Sequence, residues 1–200
     1  MTWKDTTLGT LNFTSVFFTD ALHGYLLGWY PSAMKRTEDG GITWTDLAVP
    51  NNIDPHGMCF TDFKHGFLLL LGGGIIYHTT DAGNSWNSAY SDSNMDFSSI
   101  FFTDIFTGYE AGTEYQQPDF ILKTTDGGLS WQRKNNIRSG NVGHLFFPDP
   151  FDGYMINSGF HVLKTMDGGD SWSVNNAFVT DNPVSSVFFT TADTGYIAGP

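Results

Sequence analysis

Two hundred residues that are 40% hydrophobic and 16% aromatic hold enough apolar mass for a sizeable core. Nine Lys plus Arg against 21 Asp plus Glu give a formal net charge of -12 at pH 7, which excludes nucleic acid and anionic membrane surfaces as expected partners, since both demand positive potential. No apolar run approaches the ~20 residues of a membrane-spanning helix, and the single Cys59 cannot make an internal disulfide, so cysteine usage leaves the compartment open.

In chain order, Met1-Thr2-Trp3-Lys4 does not read as a signal peptide. Thr2-Trp3 matches instead the end of a motif that follows. Val16-Phe17-Phe18-Thr19-Asp20 predicts an inner strand, A, and a turn through Gly24-Tyr25 leads into strand B. The variable connection Trp29-Tyr30-Pro31-Ser32 leads to strand C. That strand enters Thr37-Glu38-Asp39-Gly40-Gly41-Ile42-Thr43-Trp44, and strand D starts at the Trp. A long polar connection, Leu47 to His56, opens the next unit.

The unit then returns. Strand A recurs at Met58-Cys59-Phe60-Thr61-Asp62, Ile100-Phe101-Phe102-Thr103-Asp104, Leu145-Phe146-Phe147-Pro148-Asp149 and Val187-Phe188-Phe189-Thr190-Thr191. Its following glycines, at 24, 66, 108, 153 and 195, are 42, 42, 45 and 42 residues apart. The Asp motif recurs around Asp81-Trp86, Asp126-Trp131 and Asp167-Trp172, with Asp spacings of 42, 45 and 41. The apolar run Phe67 to Leu71 ends at Gly72-Gly73-Gly74 and reads as a buried strand. The remaining long connections are expected at Asn87 to Phe97, Arg133 to Asn141 and Asn175 to Pro183.

Two independent markers sharing a period in the low forties, with four short strands per unit, indicate β-propeller blades. The expected fold is all-β: one propeller domain over residues 1–200 with four-stranded antiparallel blades, about five of them visible. The repeats run approximately 4–45, 46–87, 88–132, 133–173 and a partial 174–200. Beginning on a fourth strand and stopping on a second, the chain is expected to be an arc of a larger ring or an atypical short ring.

Each Asp motif keeps Thr two residues before the Asp, Gly two after, Ser or Thr four after and Trp five after. The carboxylate is expected to accept backbone N–H groups two or three residues on, with Gly supplying a positive φ. The Trp buries a large ring whose N–H needs one partner. Asp39, Trp44, Asp81, Trp86, Asp126, Trp131, Asp167 and Trp172 are therefore assigned to scaffold. A basic residue stands three before each Asp (Arg36, His78, Lys123, Lys164) and is expected to hold a neighbouring strand or carboxylate. The Gly after strand A is expected to be left-handed, and Cys59, at a Phe position, to be a small core hydrophobe.

These residues, FFxDxxxGY followed by a basic residue and TxDGGxS/TW, resemble the Asp-box propellers with neuraminidase-like (BNR) repeats. The nearest branch is the photosystem II stability/assembly factor family, and the resemblance covers the whole chain. It implies a chaperone-like role in assembling cofactor proteins and export to a bacterial envelope or beyond. This acidic chain lacks the basic arginine patch on which that group's binding leans.

In propellers the A–B and C–D turns share one face and the B–C and D–A loops the other. Here the first face is invariant between repeats and the second variable, so ligand is expected at the second. Candidate residues there are Trp29, Tyr30, Asp54, His56, Tyr90, Asp92, Asp96, Glu114, Tyr115, Asp119, Arg138, Phe160 and Asp181. Asp92-Ser93-Asn94-Met95-Asp96 spaces oxygens as calcium loops do but lacks their Gly and distal Glu. His23 and His65 share one turn position, and His56, His144 and His161 have no partner at metal-ligand spacing. No metal or cofactor is expected. Only Arg36, Arg133 and Arg138 are present, too few and poorly placed for sialidase chemistry. The sequence thus points to a non-catalytic scaffold for a protein or peptide. The alternative is a carbohydrate-binding or glycoside-hydrolase propeller using loop-face carboxylates and aromatics.

Overall fold

The computed structural model of the chain describes residues 12–29, 32–70, 72–115, 117, 119–137, 142–157, 161–179, 186–191 and 194–198. The expectations for Trp3, Tyr30, Arg138, Phe160 and Asp181 fall outside them.

Each repeat becomes one antiparallel meander. The first blade is β1 (Asn12–Phe18), β2 (Gly24–Trp29), β3 (Ala33–Thr37) and β4 (Thr45–Leu47). The second is β5 (Pro55–Phe60), β6 (Gly66–Leu70), β7 (Ile75–Thr79) and β8 (Asn87–Ser91). The third is β9 (Met95–Phe102), β10 (Gly108–Glu114), β11 (Asp119–Thr124) and β12 (Gln132–Ile137). The fourth is β13 (Val142–Phe146), β14 (Gly153–Asn157), β15 (His161–Thr165) and β16 (Ser173–Val179), and a fifth, two-stranded sheet is β17 (Ser186–Thr191) with β18 (Thr194–Ala198). The D strands β8, β12 and β16 run into stretches expected as connections, because each continues pairing with its C strand. Among the described residues, the link from β4 to β5, with a 3-10 turn at Pro50–Asn52, keeps the expected length.

The A strands adjoin one another about a common axis: β1 against β5, β5 against β9, β9 against β13 and β13 against β17. Among the described residues nothing comparable joins the fifth sheet to the first, so the blades form an open arc. The core is divided between neighbours. One apolar cluster lies between each successive pair of blades, such as Tyr25, Leu27 and Met34 against Met58, Phe60 and Leu68. Cys59 is buried in the next one, where desolvation pushes its thiol up to about 12. Strand β6, Gly66–Leu70, is buried throughout, as its continuous apolar run predicts.

A repeated aromatic ladder stitches these clusters. The residue after the motif glycine stacks on the second Phe of the next A strand. The pairs are Tyr25 on Phe60 at 3.6 Å between centroids, Phe67 on Phe102 at 4.4 Å, Tyr109 on Phe147 at 4.0 Å and Tyr154 on Phe189 at 3.7 Å. The same Phe meets its own blade's Trp edge-on, as in Phe102 with Trp131 at 6.0 Å and 88°. Each such aromatic pair adds about 0.5–1.5 kcal/mol beyond its buried area. The ladder also corrects the expectation for the A–B glycines, whose φ is not positive. They are glycine because a Cβ on Gly24 or Gly108 would lie 2.7 or 2.5 Å from the ring of Phe18 or Phe102.

The C–D turns are built alike. At Asp39, Thr43 Oγ1 donates to Oδ2 at 2.6 Å and Thr43 N–H to Oδ1 at 2.8 Å. Thr37 Oγ1 donates to Oδ1 at 2.8 Å and accepts the Gly41 N–H at 2.9 Å. The main acceptance is thus from the fourth residue on, with a smaller contribution from the third. These bonds, the hydroxyl's first, hold Asp39, Asp81, Asp126 and Asp167 at about 2. The Trp44 and Trp172 indoles donate back to Gly41 and Gly169 carbonyls, whereas the buried Trp86 and Trp131 N–H groups find no partner, contrary to the expectation for the motif. Of the basic residues, Arg36 donates to the Ala82 carbonyl at 2.9 Å and Lys123 to the Gly168 carbonyl at 2.6 Å, each bridging to the following blade's turn. Lys164 pairs within its own blade, with Asp152. His78 stacks on Phe67.

One residue breaks the pattern. Glu110 stands where other blades carry Leu26, Leu68 and Met155, and it is fully buried. Alternation turns it away from Tyr109 and Ala111, towards the cluster shared with the second blade. Neither carboxylate oxygen has a hydrogen-bond partner of good geometry. Burial raises its pKa well above the ordinary value, offset only in part by the Ser98 N–H.

Candidate functional site

The A strands carry a β-bulge at one repeat position. Pairing with strand B shifts register between Phe13 and Ser15, between Pro55 and Gly57, between Phe97 and Ser99, and between Val142 and Leu145. The residue left over is Thr14, His56, Ser98 and, in the fourth blade, Gly143 with His144. Thr14, His56, Ser98 and Gly143 each stand four residues before the second Phe of the strand A motif. A bulge leaves its extra residue unpaired and re-aims the side chain. Here all four bulges turn to the axis and line one cavity of about 560 Å³ with Trp29, Asp54, Pro55, Val142 and His144. The size lies in the range of small-ligand and side-chain pockets.

The cavity lies at the end of the axis where the B–C and D–A connections meet. One wall is locked by hydrogen bonds: Trp29 Nε1 donates to Asp54 Oδ2 at 2.6 Å, and Ser32 Oγ donates to Oδ1. This ties the first B–C loop to the D–A loop before β5. The Trp29 ring stays half open to solvent, at 52% exposed, and offers a flat apolar surface beside a carboxylate. The opposite wall is Val142, Gly143 and His144. Desolvation first, and the like charge of His56 second, hold His144 below the ordinary histidine range, so it presents a neutral ring near pH 7. Neutral imidazole donates one hydrogen bond and accepts another. With Ser98 and Thr14 hydroxyls, the cavity offers adaptable polar groups between apolar walls.

Of the sequence-predicted residues, Trp29, Asp54 and His56 come together here. Tyr90 lies in β8, half-buried against the core between the second and third blades. Asp92 accepts the Asn94 N–H at 3.0 Å and closes the turn into β9, and exposed Asp96 lies on that strand. Glu114 ends β10 and pairs with Arg133 at 2.5 Å. Tyr115 is exposed beyond it. Asp119 opens β11 and is buried, which raises its pKa. Asp92, Asp96, Glu114, Tyr115 and Asp119 do not line the cavity. Among the described residues no three His, Cys, Asp or Glu are grouped to hold a metal ion. His23 and His65 cap their own A–B turns on Asp20 and Asp62, at 2.7 and 2.8 Å.

Sequence reasoning missed Thr14, Ser98 and the role of His144. Counting back four residues from the second Phe of each strand A motif gives Thr14, His56, Ser98 and Gly143, none of them large and apolar, but it is the pairing register that shows this position to be a bulge.

Residues 44–138 match the family described as photosynthesis system II assembly factor YCF48. No curated protein matches the chain by sequence. Among solved structures, the chain is similar to YCF48 bound to D1 peptide, at 18% identity and a TM-score of 0.53, covering 99% of this chain and 80% of that one. YCF48 from Cyanidioschyzon merolae is similar at 14% identity and 0.58, covering 94% and 80%. A GH74 enzyme of Niastella koreensis is similar at 17% identity and 0.73, where 92% of this chain spans 33% of the enzyme. At these identities the structural likeness is one of fold.

Proposed function

Taking the chain as a BNR-repeat β-propeller related to the photosystem II assembly factor family, we propose that it is a non-catalytic scaffold holding a peptide or protein segment on its loop face during assembly of a larger complex. The observation that carries this reading is the cavity ringed by four equivalent bulges, with a Trp29–Asp54 wall facing neutral His144. A related propeller solved with a D1 peptide gives the reading a precedent in the same fold. With the chain's net charge of -12, complementarity favours a neutral or basic segment, one apolar side chain of which seats against Trp29 and Val142. Location at a bacterial envelope or beyond belongs to the same proposal and rests on the repeat resemblance.

A second reading, carbohydrate binding, is favoured by the open Trp29 ring beside an acid and by the likeness to GH74 enzymes. Hydrolysis by the common two-carboxylate route needs a facing pair of acids. Among the described residues, the cavity lining holds one carboxylate, Asp54, with both oxygens engaged.

A displayed peptide library and an array of β-glucan oligosaccharides, probed in parallel with the chain, separate the readings. Peptide selection is expected, with affinity falling at least ~10-fold in Trp29→Ala, the loss of a central aromatic anchor. Reproducible oligosaccharide cleavage abolished by Asp54→Asn would overturn the scaffold reading.

A further inference from the structure

On the face of the A–B and C–D turns, a cation from strand C ties one blade to the next at two of the three junctions between four-stranded blades. Arg36 of the first blade donates to the Ala82 carbonyl in the second blade's turn, and its guanidinium lies 5.5 Å from the Phe63 ring. Lys123 of the third blade donates to the Gly168 carbonyl in the fourth, where the Tyr109 hydroxyl donates as well at 2.7 Å. The junction between the second and third blades lacks both donors. Phe67 stands where the third blade has Tyr109, without a hydroxyl, and His78 stands where it has Lys123. The His78 ring stacks on Phe67 at 4.7 Å instead of crossing the junction. Among the described residues no hydrogen bond reaches the Gly127 carbonyl, the counterpart of the Ala82 and Gly168 carbonyls.

The missing side chains leave space. A Cβ on Gly168 would meet Tyr109 Oη at 3.6 Å and Lys123 Nζ at 3.7 Å, whereas one on Gly127 would meet the Ile105 carbonyl oxygen at 3.1 Å and, among the described residues beyond its chain neighbours, nothing else within 4 Å. A cavity of about 290 Å³ opens there, between Phe67 and His78 of the second blade and Asp126, Gly127 and Leu129 of the third. Asp62 lines it too, so two carboxylates face the space. The Ser130 hydroxyl first, and its N–H second, hold Asp126 at about 2, so it is charged throughout the neutral range. Desolvation first, and the like charge of His65 second, keep His78 below the ordinary histidine range, so near pH 7 it brings no compensating charge. The edges are apolar: Ile105 and Leu129 are 55% and 79% exposed.

We propose that this cavity binds a basic side chain of a partner protein, whose ammonium or guanidinium donates to the Gly127 carbonyl beside Asp126 while its methylene stem lies along Ile105 and Leu129. The junctions on either side show the fit, since Arg36 and Lys123 place the same chemistry on the equivalent carbonyls. A long basic side chain matches a site with an apolar edge and an anionic interior, and the chain's net charge of -12 draws cations towards it. The site lies on the opposite face from the bulge-lined cavity and does not rest on the peptide reading given for that one.

The test is an NMR titration of the 15N-labelled chain with the amides of Nα-acetyl-lysine, Nα-acetyl-arginine and, as the neutral match, Nα-acetyl-norleucine. These ligands are too short to span both faces. Saturable shifts are expected at residues 61–67 and 126–129 with the two basic derivatives, at least ~10-fold tighter than with norleucine, the loss of one charge-assisted hydrogen bond. His78→Lys and His78→Arg each restore the tether of the neighbouring junctions, and either is expected to raise the urea midpoint and abolish the shifts. Norleucine binding as tightly as lysine, shifts confined to residues 54–58 and 142–145, or no saturable shift in the wild type would each overturn the proposal. So would undiminished binding in a folded His78→Lys or His78→Arg variant. Should neither variant fold, the comparison of the three ligands on the wild type still decides.

Discussion

At the residue scale the C–D turns hold the chain's most repeated chemistry and its most accessible tests. Three of the four turns place Gly after the Asp at φ near 70°, and the second places Ala82 there at φ 61°. A left-handed L residue costs about 1–2 kcal/mol, against which glycine's freer unfolded chain loses about 0.4–1 kcal/mol. Ala82→Gly is therefore expected to stabilise by about 0.5 kcal/mol, read as a raised urea midpoint with unchanged slope. The turn carboxylates predict a pH window. Their folded pKa, about 2, lies below the ordinary 3.8. Their contribution is complete above about pH 4 and is lost as pH falls towards 2. The urea midpoint is expected to drop across that window, and Asp126→Asn to lower it at pH 5 while shallowing the drop. A midpoint flat from pH 4 to 2 would contradict this role.

At the scale of elements, blade stacking depends on the aromatic ladder and on the space its glycines leave. Gly108→Ala drives a methyl into the Phe102 ring and is expected to cost about 1–3 kcal/mol by overpacking, measured by denaturant unfolding. Glu110 predicts the opposite sign. Glu110→Leu restores the residue type of its counterparts and is expected to gain about 1–4 kcal/mol at pH 7. A raised folded pKa makes the glutamate's cost grow as pH rises above 4.5, so the gain should shrink at pH 4. The blades were legible in the sequence because each strand junction repeats a turn whose chemistry is local: Asp20 on the N–H groups of Leu22 and His23, Asp39 on Thr43. What the repeat could not give was the reason for the A–B glycine, which lies in a ring contact, or the reach of β8, β12 and β16, set by pairing with neighbouring strands.

At the scale of the whole molecule, the arc brings together residues that no single repeat reveals. Trp29, Asp54 and His56 were legible as variable-loop residues. His144 and Ser98 were not, because a bulge reverses which way a strand residue faces, and it is identified by pairing register. Asp119 and Glu114 read as loop carboxylates but belong to strands, one buried and the other paired with Arg133. The most direct test of the binding face is hydrogen–deuterium exchange on the chain with and without the tightest peptide from the library selection. A segment seated in the bulge-lined cavity predicts protection at residues 12–16, 54–58, 96–99 and 142–145, with the C–D turns at 39–43 and 126–130 unchanged. Protection confined to the C–D turns would contradict it, and would move the binding face to the opposite end of the blades.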